Sequence, residues 1–319
     1  MKIPKQVIIE VTNRCNLKCR YCPSLEDSII PKGDMSLDMF KSIVDRMDFE
    51  ATVIPWMNGE PFLNKDYLEM LQYLDKKRKE YYVTTSLTVW REDVITHILE
   101  SEYCYQLIIS MDGMPDTGNI EKCRPGTVES SLIENLDRVI LLKRQLNSST
   151  DIAVKICDRG QDYGEIEDYI KYWIPRVDYV CVGKALNAIN TEIMRTKPCQ
   201  YFDNNFMVIR YTGDLPICSY NHEAVNYLKG SYGNIMSKPE EPLSAYYNNY
   251  SIAELRNKQN RGEYAKPCDT CGFAYTGMGY EGTVKFRGHA THLYYHEDYY
   301  NKFFSLRHKA KPDEYYEVG

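Results

Sequence analysis

No stretch of this sequence is both apolar and long enough to cross a bilayer, and no charged-then-apolar segment opens it. Both absences exclude a membrane role and leave a cytoplasmic protein as the expectation. Positive charge is not in excess: 39 Lys and Arg against 45 Asp and Glu give a net charge of -6. With a pI near 5.6 there is no basic footprint for nucleic acid. Internal repeats and low-complexity segments are missing as well. The eleven cysteines lack the spacing of a secreted disulfide scaffold, and 319 residues is far beyond the size of one. What is present is a 43% hydrophobic chain, enough for one large α/β domain and a smaller module. Its 28 tyrosines imply a polar surface or cavity able to stack on a ligand.

Three cysteines, Cys15, Cys19 and Cys22, fall within eight residues, spaced C-x3-C-x-aromatic-C with Tyr21 as the aromatic. They follow the apolar run Val7–Val11, which reads as a buried strand. A loop leaving a strand end can turn three thiolates toward one point. Three thiolates saturate three irons of a [4Fe-4S] cube and leave the fourth open to a substrate or cofactor. Zinc is the alternative, but zinc sites usually pair C-x2-C units and want four ligands.

This spacing, with the flanking Thr12-Asn13-Arg14-Cys15-Asn16-Leu17, resembles the radical S-adenosylmethionine (SAM) enzymes. The resemblance implies that the open iron chelates SAM and that one electron cleaves it to methionine and a deoxyadenosyl radical, which takes hydrogen from a substrate.

From residue 6 to about 183, strand-like runs alternate six times with helical patterns. The strands expected are Gln6–Thr12, Thr52–Asn58, Tyr82–Leu87, Tyr105–Met111, Asp151–Cys157 and Asp178–Val182. Helices are expected over Leu37–Asp48, Lys65–Lys79, Arg91–Glu100, Val128–Leu146 and Tyr163–Trp173, with Ser36 and Asn64 as N-caps of the first two. Such alternation means parallel strands joined by right-handed crossovers. Six units match the partial (β/α)6 TIM-like barrel of the resemblance, assigned to residues 1–195.

Active residues of parallel barrels gather where strands end. Gly59-Glu60-Pro61 after the second strand resembles the segment that hydrogen-bonds the SAM amino group. Thr85 and Ser86 offer hydroxyls suited to a ribose, although the family often has Asn-Gly where this chain has Ser86-Leu87. Ser110-Met111-Asp112-Gly113 matches the family's Ser-x-Asp-Gly, so Ser110 and Asp112 are candidates to bond ribose or substrate. A strand-end turn with Asp112 capping Gly113 is the other reading. Arg124 resembles the arginine that meets the SAM carboxylate, a task suited to a guanidinium fork. Leu186, with Ala185, is a candidate adenine contact by resemblance. Lys155 and Cys157 share one face of the fifth strand by period two.

Beyond residue 195 the pattern changes. Phe206–Tyr211, Gly213-Asp214 and Leu215–Cys218 read as a hairpin flanked by Cys199 and Cys218. A helix over Ser251–Arg261 leads to Cys268-Asp269-Thr270-Cys271. Four thiolates so placed can close one more iron–sulfur cluster or hold one zinc, and spacing alone does not separate them. The set Cys199, Cys218, Cys268 and Cys271 resembles the shortened SPASM module, also called Twitch, which closes an auxiliary [4Fe-4S] cluster. That gives a small α+β iron–sulfur module over 196–275. Residues 276–319 form a His- and Tyr-rich extension. His289, His292 and His296 would share a face only on a helix, and an amphipathic or irregular tail packing its aromatics on the barrel is favoured over a metal site.

The expectation is therefore a radical SAM oxidoreductase or epimerase with two [4Fe-4S] clusters. The preferred substrate is a small polyhydroxylated molecule: a sugar, a cyclitol, or an aminoglycoside-like or nucleotide-linked compound. The electron donor would be flavodoxin- or ferredoxin-like. Oxidation would send one electron to the second cluster; epimerisation would return hydrogen from a thiol, for which Cys157 and Cys181 are the candidates. A peptide substrate is the runner-up, because peptide-modifying relatives often carry an N-terminal binding domain for which fourteen residues before Cys15 leave no room. A non-enzymatic zinc or redox-binding protein is the alternative of another class.

Overall fold

The computed structural model describes residues 2–22, 31–159, 161, 163–184, 206–216, 218, 231–264, 268, 280–286, 289–295 and 316–318. Apolar runs flanked by helical periodicity become six strands joined by helical crossovers. The strands are β1 (Gln6–Ile9), β2 (Thr52–Ile54), β3 (Tyr81–Thr85), β4 (Cys104–Ser110), β5 (Asp151–Asp158) and β6 (Tyr179–Lys184). Between them run α1 (Leu37–Asp45), α2 (Tyr67–Lys76), α3 (Glu92–Glu100), the short α4 (Asn119–Cys123), α5 (Glu129–Leu146) and α6 (Tyr163–Trp173). Each strand pairs in parallel with its sequence neighbour. A seventh, β7 (Phe206–Ile209), pairs in parallel with β1 on its other side. The sheet is open, with β7 at one edge.

Two apolar layers meet this sheet. Val7, Ile9, Val83, Ile109, Val154 and Val182 pack with the helices in one large core. Ile8, Ile54 and Val208 point the other way, into a second cluster. Period-two alternation therefore puts Ser110, Lys155, Cys157, Cys181 and Gly183 on the face away from the helices, with Ile8.

Ser36 caps α1 as expected, its hydroxyl accepting from Met39 N at 3.3 Å. Asn64 does not cap α2: the helix begins after Asp66, which makes no side-chain cap. Asn64 ends the 3-10 turn Pro61–Leu63 instead. It is buried, and its amide donates to Val11 O at 2.8 Å and Met35 O at 3.0 Å. Its Oδ1 accepts from Asp66 N at 2.9 Å, just ahead of the helix rather than inside its first turn.

After β7 the chain turns at Gly213, where Gly213 N donates to Arg210 O at 2.8 Å and Arg210 N to Asp214 O at 2.9 Å. β7 takes its ladder from β1, while β8 (Asp214–Pro216) pairs with β9 (Ser231–Asn234). Two short helices follow, α7 (Leu243–Tyr247) and α8 (Tyr250–Asn260). The tail corrects the expectation of an irregular or amphipathic segment. β10 (Tyr280–Phe286) and β11 (His289–Tyr295) form an antiparallel pair, β12 (Tyr316–Val318) adds to β10, and β11 lies parallel to β6. His289 and His292 fall within the strand β11, not on a helix. His296 lies outside the described residues.

Arg46, at the end of α1, fastens the segment after β9. Its guanidinium donates to Glu241 O at 2.8 Å, Ile235 O at 2.8 Å and Lys238 O at 3.2 Å, and it lies over the Tyr246 ring. Arg46→Ala is expected to destabilise the protein by about 2–3 kcal/mol, as loss of hydrogen bonds to a charged group does. Arg46→Lys should restore only part, because an ammonium lacks the planar fork. A denaturation midpoint unchanged in both variants would show that this segment is held by other contacts.

Candidate active site

The cysteine loop leaves β1 and is stitched to a distant segment. Lys18 N donates to Pro125 O at 3.0 Å and Arg20 N to Cys123 O at 3.1 Å. Within the loop, Leu17 N meets Cys15 Sγ at 3.4 Å and Cys22 N meets Cys19 O at 3.1 Å. Cys15 is exposed, and Cys19, Tyr21 and Cys22 are half-buried. Burial raises the Cys15 thiol, with Glu60 and Cys22 adding to it. Burial also pushes Cys19 up to about 11, with Cys22, Asp112 and Cys15 adding and Arg124 opposing. The thiols thus feel one another and share a guanidinium. Three soft donors on one loop fit an iron–sulfur cluster with one iron open, and Arg124 fits a carboxylate brought beside it. Among the described residues, no three His, Cys, Asp or Glu side chains form a ligand set for a single metal ion.

Under the loop, Glu60 gathers what the sequence offered separately. It is 2% exposed. One oxygen accepts from Thr85 Oγ1 at 2.7 Å and Phe62 N at 3.3 Å. The other accepts from Ser86 N at 2.7 Å and Ser86 Oγ at 2.6 Å. Ser86 Oγ then meets Thr88 Oγ1 at 2.8 Å, which accepts from Asn16 of the cysteine loop at 3.0 Å. The hydroxyls of Thr85 and Ser86 are thus engaged by the protein itself. Gly59 has φ +78, and a Cβ there would stand 2.5 Å from Arg14 O. Its close approach is to the backbone before Cys15, which sets the depth of the loop. Pro61 begins the 3-10 turn that follows. Where relatives often have glycine, Leu87 has φ +56, a strained conformation for a branched residue.

Asp112, after β4, also has a positive φ, +60. Its carboxylate accepts from Arg124 at 2.6 Å and from Cys157 N at 2.8 Å, while its carbonyl accepts from Arg159 at 2.8 Å. Both side chains of the Arg124–Asp112 pair are 12% exposed. Burial alone would raise the Asp112 carboxyl; the charges of Arg124 and Lys155 and the bonds from Arg124 and Cys157 outweigh it and hold the group below the usual carboxylate range. The Cys157 thiol is pushed up to about 12, by burial first and then by Asp112. It is therefore a protonated S–H at neutral pH.

Ser110, Lys155 and Cys181 lie in one row across β4, β5 and β6, and Cys157 lies opposite Gly183 one step nearer the strand ends. Arg159 and Glu10 were not singled out in the sequence. Arg159 also bonds Glu165 at 2.9 Å; its place just after β5 was a readable signal. Glu10, 1% exposed, accepts from Asn58 at 2.8 Å and Tyr211 N at 3.3 Å, and burial raises its carboxyl. A charge closing the apolar run Val7–Val11 was its only sign. Of the second cysteine set, buried Cys268 and half-buried Cys218 pack into one apolar cluster with Ile8, Ile54 and Leu255. Cys199, Cys271 and Leu186 lie outside the described residues.

With this geometry in place, comparison with known proteins is direct. The family model of the radical SAM superfamily matches residues 9–172, just over half of the chain, and the protein belongs to that superfamily. Fe-coproporphyrin III synthase of Methanosarcina barkeri is 27% identical over 127 residues, 40% of this chain and 32% of that protein. The chain spans between about a fifth and three fifths of the length of the first curated relatives it matches. Among solved structures, Streptococcus suis SuiB bound to SAM matches with a TM-score of 0.61 at 13% identity, covering 80% of this chain and 68% of SuiB. SuiB has also been solved bound to the precursor peptide SuiA. BtrN in complex with SAM and 2-DOIA matches with a TM-score of 0.55 at 16% identity, covering 85% of this chain and 92% of BtrN. These structures share the fold.

Asp112→Asn leaves Arg124 buried without its counter-charge and is expected to cost about 3–5 kcal/mol of stability. A depressed carboxylate stabilises above its unfolded pKa of about 3.9 and loses that contribution as pH falls through the lower folded value. The stability gap between wild type and variant should therefore hold from pH 8 to about 5 and shrink below about 4. A gap that instead narrows between pH 8 and 6 would contradict the depressed carboxyl.

Proposed function

We propose that this radical SAM enzyme acts on a small polyhydroxylated molecule, a sugar, cyclitol or aminoglycoside-like compound, and oxidises or epimerises one of its carbons. The observation that carries the reading is the polar half of the sheet face away from the helices. There Ser110 and Lys155 sit with the protonated Cys157 and with Cys181, above Thr84, whose buried hydroxyl has no hydrogen-bond partner among the described residues. An orphan hydroxyl beneath a polar row suits a ligand that brings its own hydroxyls.

Cys15, Cys19 and Cys22 would hold the first [4Fe-4S] cluster, and Arg124 would face the SAM carboxylate. Together SAM and the cluster supply a deoxyadenosyl radical that takes a hydrogen atom from the substrate. Gly59, Glu60 and Pro61 would support the loop at the amino end of SAM, Ser110 would take the ribose side, and Thr85 and Ser86 would act through the Glu60 carboxylate they hold. Leu186 is assigned to the adenine. For epimerisation, Cys157 gives its S–H hydrogen to the opposite face of the carbon radical, and one electron and one proton then restore the thiol. Cys181, one row deeper, is the second candidate. For oxidation, a second cluster, were it held by Cys199, Cys218, Cys268 and Cys271, would supply the one-electron sink that lets a hydroxyl-bearing carbon radical become a carbonyl on loss of a proton. Cys218 and Cys268, meeting in one apolar cluster, support that second site with Cys199 and Cys271. A ferredoxin- or flavodoxin-like protein is the electron source. A peptide substrate is the second reading, since SuiB, solved with its precursor peptide SuiA, shares the fold.

Anaerobically reconstituted protein should carry about eight irons per chain if two [4Fe-4S] clusters are present. About four would remove the second cluster, and zinc alone would remove both. In deuterated water with SAM and reductant, epimerisation through a thiol places deuterium on the product carbon, whereas oxidation gives a carbonyl without it. Cys157→Ala should abolish incorporation; full epimerisation in both Cys157→Ala and Cys181→Ala would refute the thiol donors.

A further inference from the structure

The hydrogen-bond chain between Glu60 and the cysteine loop has a fixed direction. Ser86 Oγ gives its one proton to Glu60 at 2.6 Å. Toward Thr88 Oγ1, 2.8 Å away, it can then only accept, so the Thr88 hydroxyl donates to it. Thr88 in turn accepts from the side-chain amide of Asn16 at 3.0 Å. The chain therefore runs from the loop to a carboxylate that Thr85 Oγ1, Phe62 N and Ser86 N also hold. Ser86 and Thr88 are brought together by the strained residue between them. Leu87 is fully buried with φ +56. Its N–H donates to Thr85 Oγ1 at 2.9 Å, and its carbonyl accepts from Asn135 of α5 at 3.0 Å. A branched residue persists in a left-handed conformation only where its surroundings dictate it, and such strain gathers at functional sites.

At the loop end, Asn16 lies between Cys15 and Leu17, and Leu17 N donates to Cys15 Sγ at 3.4 Å. That N–H···S contact closes over Asn16, so turning Asn16 turns the donor. The same peptide is packed by Gly126, where a Cβ would stand 3.2 Å from Leu17 Cδ2 and 3.3 Å from Asn16 O. Thr88 thus fixes the side chain of Asn16 while Gly126 packs against its carbonyl. Hydrogen bonds to sulfur help set the potential of an iron–sulfur cluster, and a donor there favours the more negative, reduced state. We infer that Thr88 is a positioning residue for the radical-generating cluster: through Asn16 it keeps Leu17 N–H on the Cys15 sulfur and so holds the cluster potential up. The inference rests on Cys15, Cys19 and Cys22 holding that cluster, and it is independent of the substrate. Thr88 acts only through Asn16; it exchanges no proton and no electron.

The test uses the anaerobically reconstituted full chain in a redox titration with titanium(III) citrate. The first cluster is identified as the paramagnetic signal that changes when SAM is added. Thr88→Val keeps the shape of the side chain and removes its hydroxyl. It should move the midpoint potential of that signal to more negative values, lowering the reduction equilibrium constant about 2- to 10-fold, the span of one hydrogen bond. Thr88→Ser, which keeps the hydroxyl, should stay near wild type. Iron content per chain should not change, and any signal that ignores SAM should keep its potential. Asn16→Leu removes the other end of the tether at an exposed side chain. It should shift the potential in the same direction, and it gives the reading by itself if Thr88→Val does not load with iron. Because both act through one contact, the double variant should shift no further than the larger single change. Wild-type potentials in both single variants, an equal shift in Thr88→Ser, or fully additive shifts would overturn the assignment and leave the cluster reading standing. If wild type shows no signal that responds to SAM, the assignment of the first cluster to these three cysteines falls, and the role of Thr88 with it.

Discussion

The buried Arg124–Asp112 ion pair is the contact on which the geometry of the site depends. Segment 123–125 holds the cysteine loop through two backbone hydrogen bonds. Arg124, in the middle of that segment, is tied to the end of β4 through Asp112. The loop is thus registered to the sheet by a charge rather than by a ladder. Asp112 can serve only because its backbone takes a left-handed conformation, and Arg159 on its carbonyl and Cys157 N on its carboxylate help hold it there. Burying two charges is costly unless their remaining hydrogen-bonding capacity is filled. Those added donors are what make a dry pair tolerable at this position. A pair of this kind adds little net stability, but it fixes a single arrangement of thiols, guanidinium and strand ends.

The sheet divides its labour across its width. Near β7, β1 and β2 the face away from the helices is apolar and covered by Leu255, Cys268 and their neighbours. Near β4, β5 and β6 the same face carries Ser110, Lys155, Cys157 and Cys181. The second cysteine pair therefore rests on one half of the face and the polar side chains on the other.

The six parallel strands were legible because each carries a short apolar stretch, and because α1, α2, α3, α5 and α6 show helical spacing. Observed ends fall within a few residues of those expected; β1, β2 and β3 are shorter, as at β1, which stops at Ile9 before the loop, while β5 and β6 run slightly longer. The cysteine motif was legible for a different reason: its ligands are close in sequence. Glu60 shows the limit. Its partners Thr85 and Ser86 lie some 25 residues away, and nothing local says that one carboxylate will claim both hydroxyls. Asn64 was misplaced because the 3-10 turn Pro61–Leu63 delays the helix until after Asp66, and the buried carbonyls that its amide meets are visible only in three dimensions. The tail was misread because tyrosine and histidine at mixed spacing carry neither the period of a helix nor that of a strand, and its strands are specified by the open edge of β6.

The pairing of β7 with β1 has a consequence for how the chain is made. β1 precedes the other strands of the sheet and leads into the cysteine loop, yet one of its two edges stays unpaired until residues 206–209 arrive. For most of synthesis the strand bearing the reactive thiols is an open edge, the kind of surface that recruits foreign strands. Closure requires a contact spanning about two hundred residues, a slow step by any measure of loop closure. A nascent chain stalled before β7 would thus expose both an adhesive edge and oxidisable thiols, which ties correct maturation of the metal site to completion of the sheet.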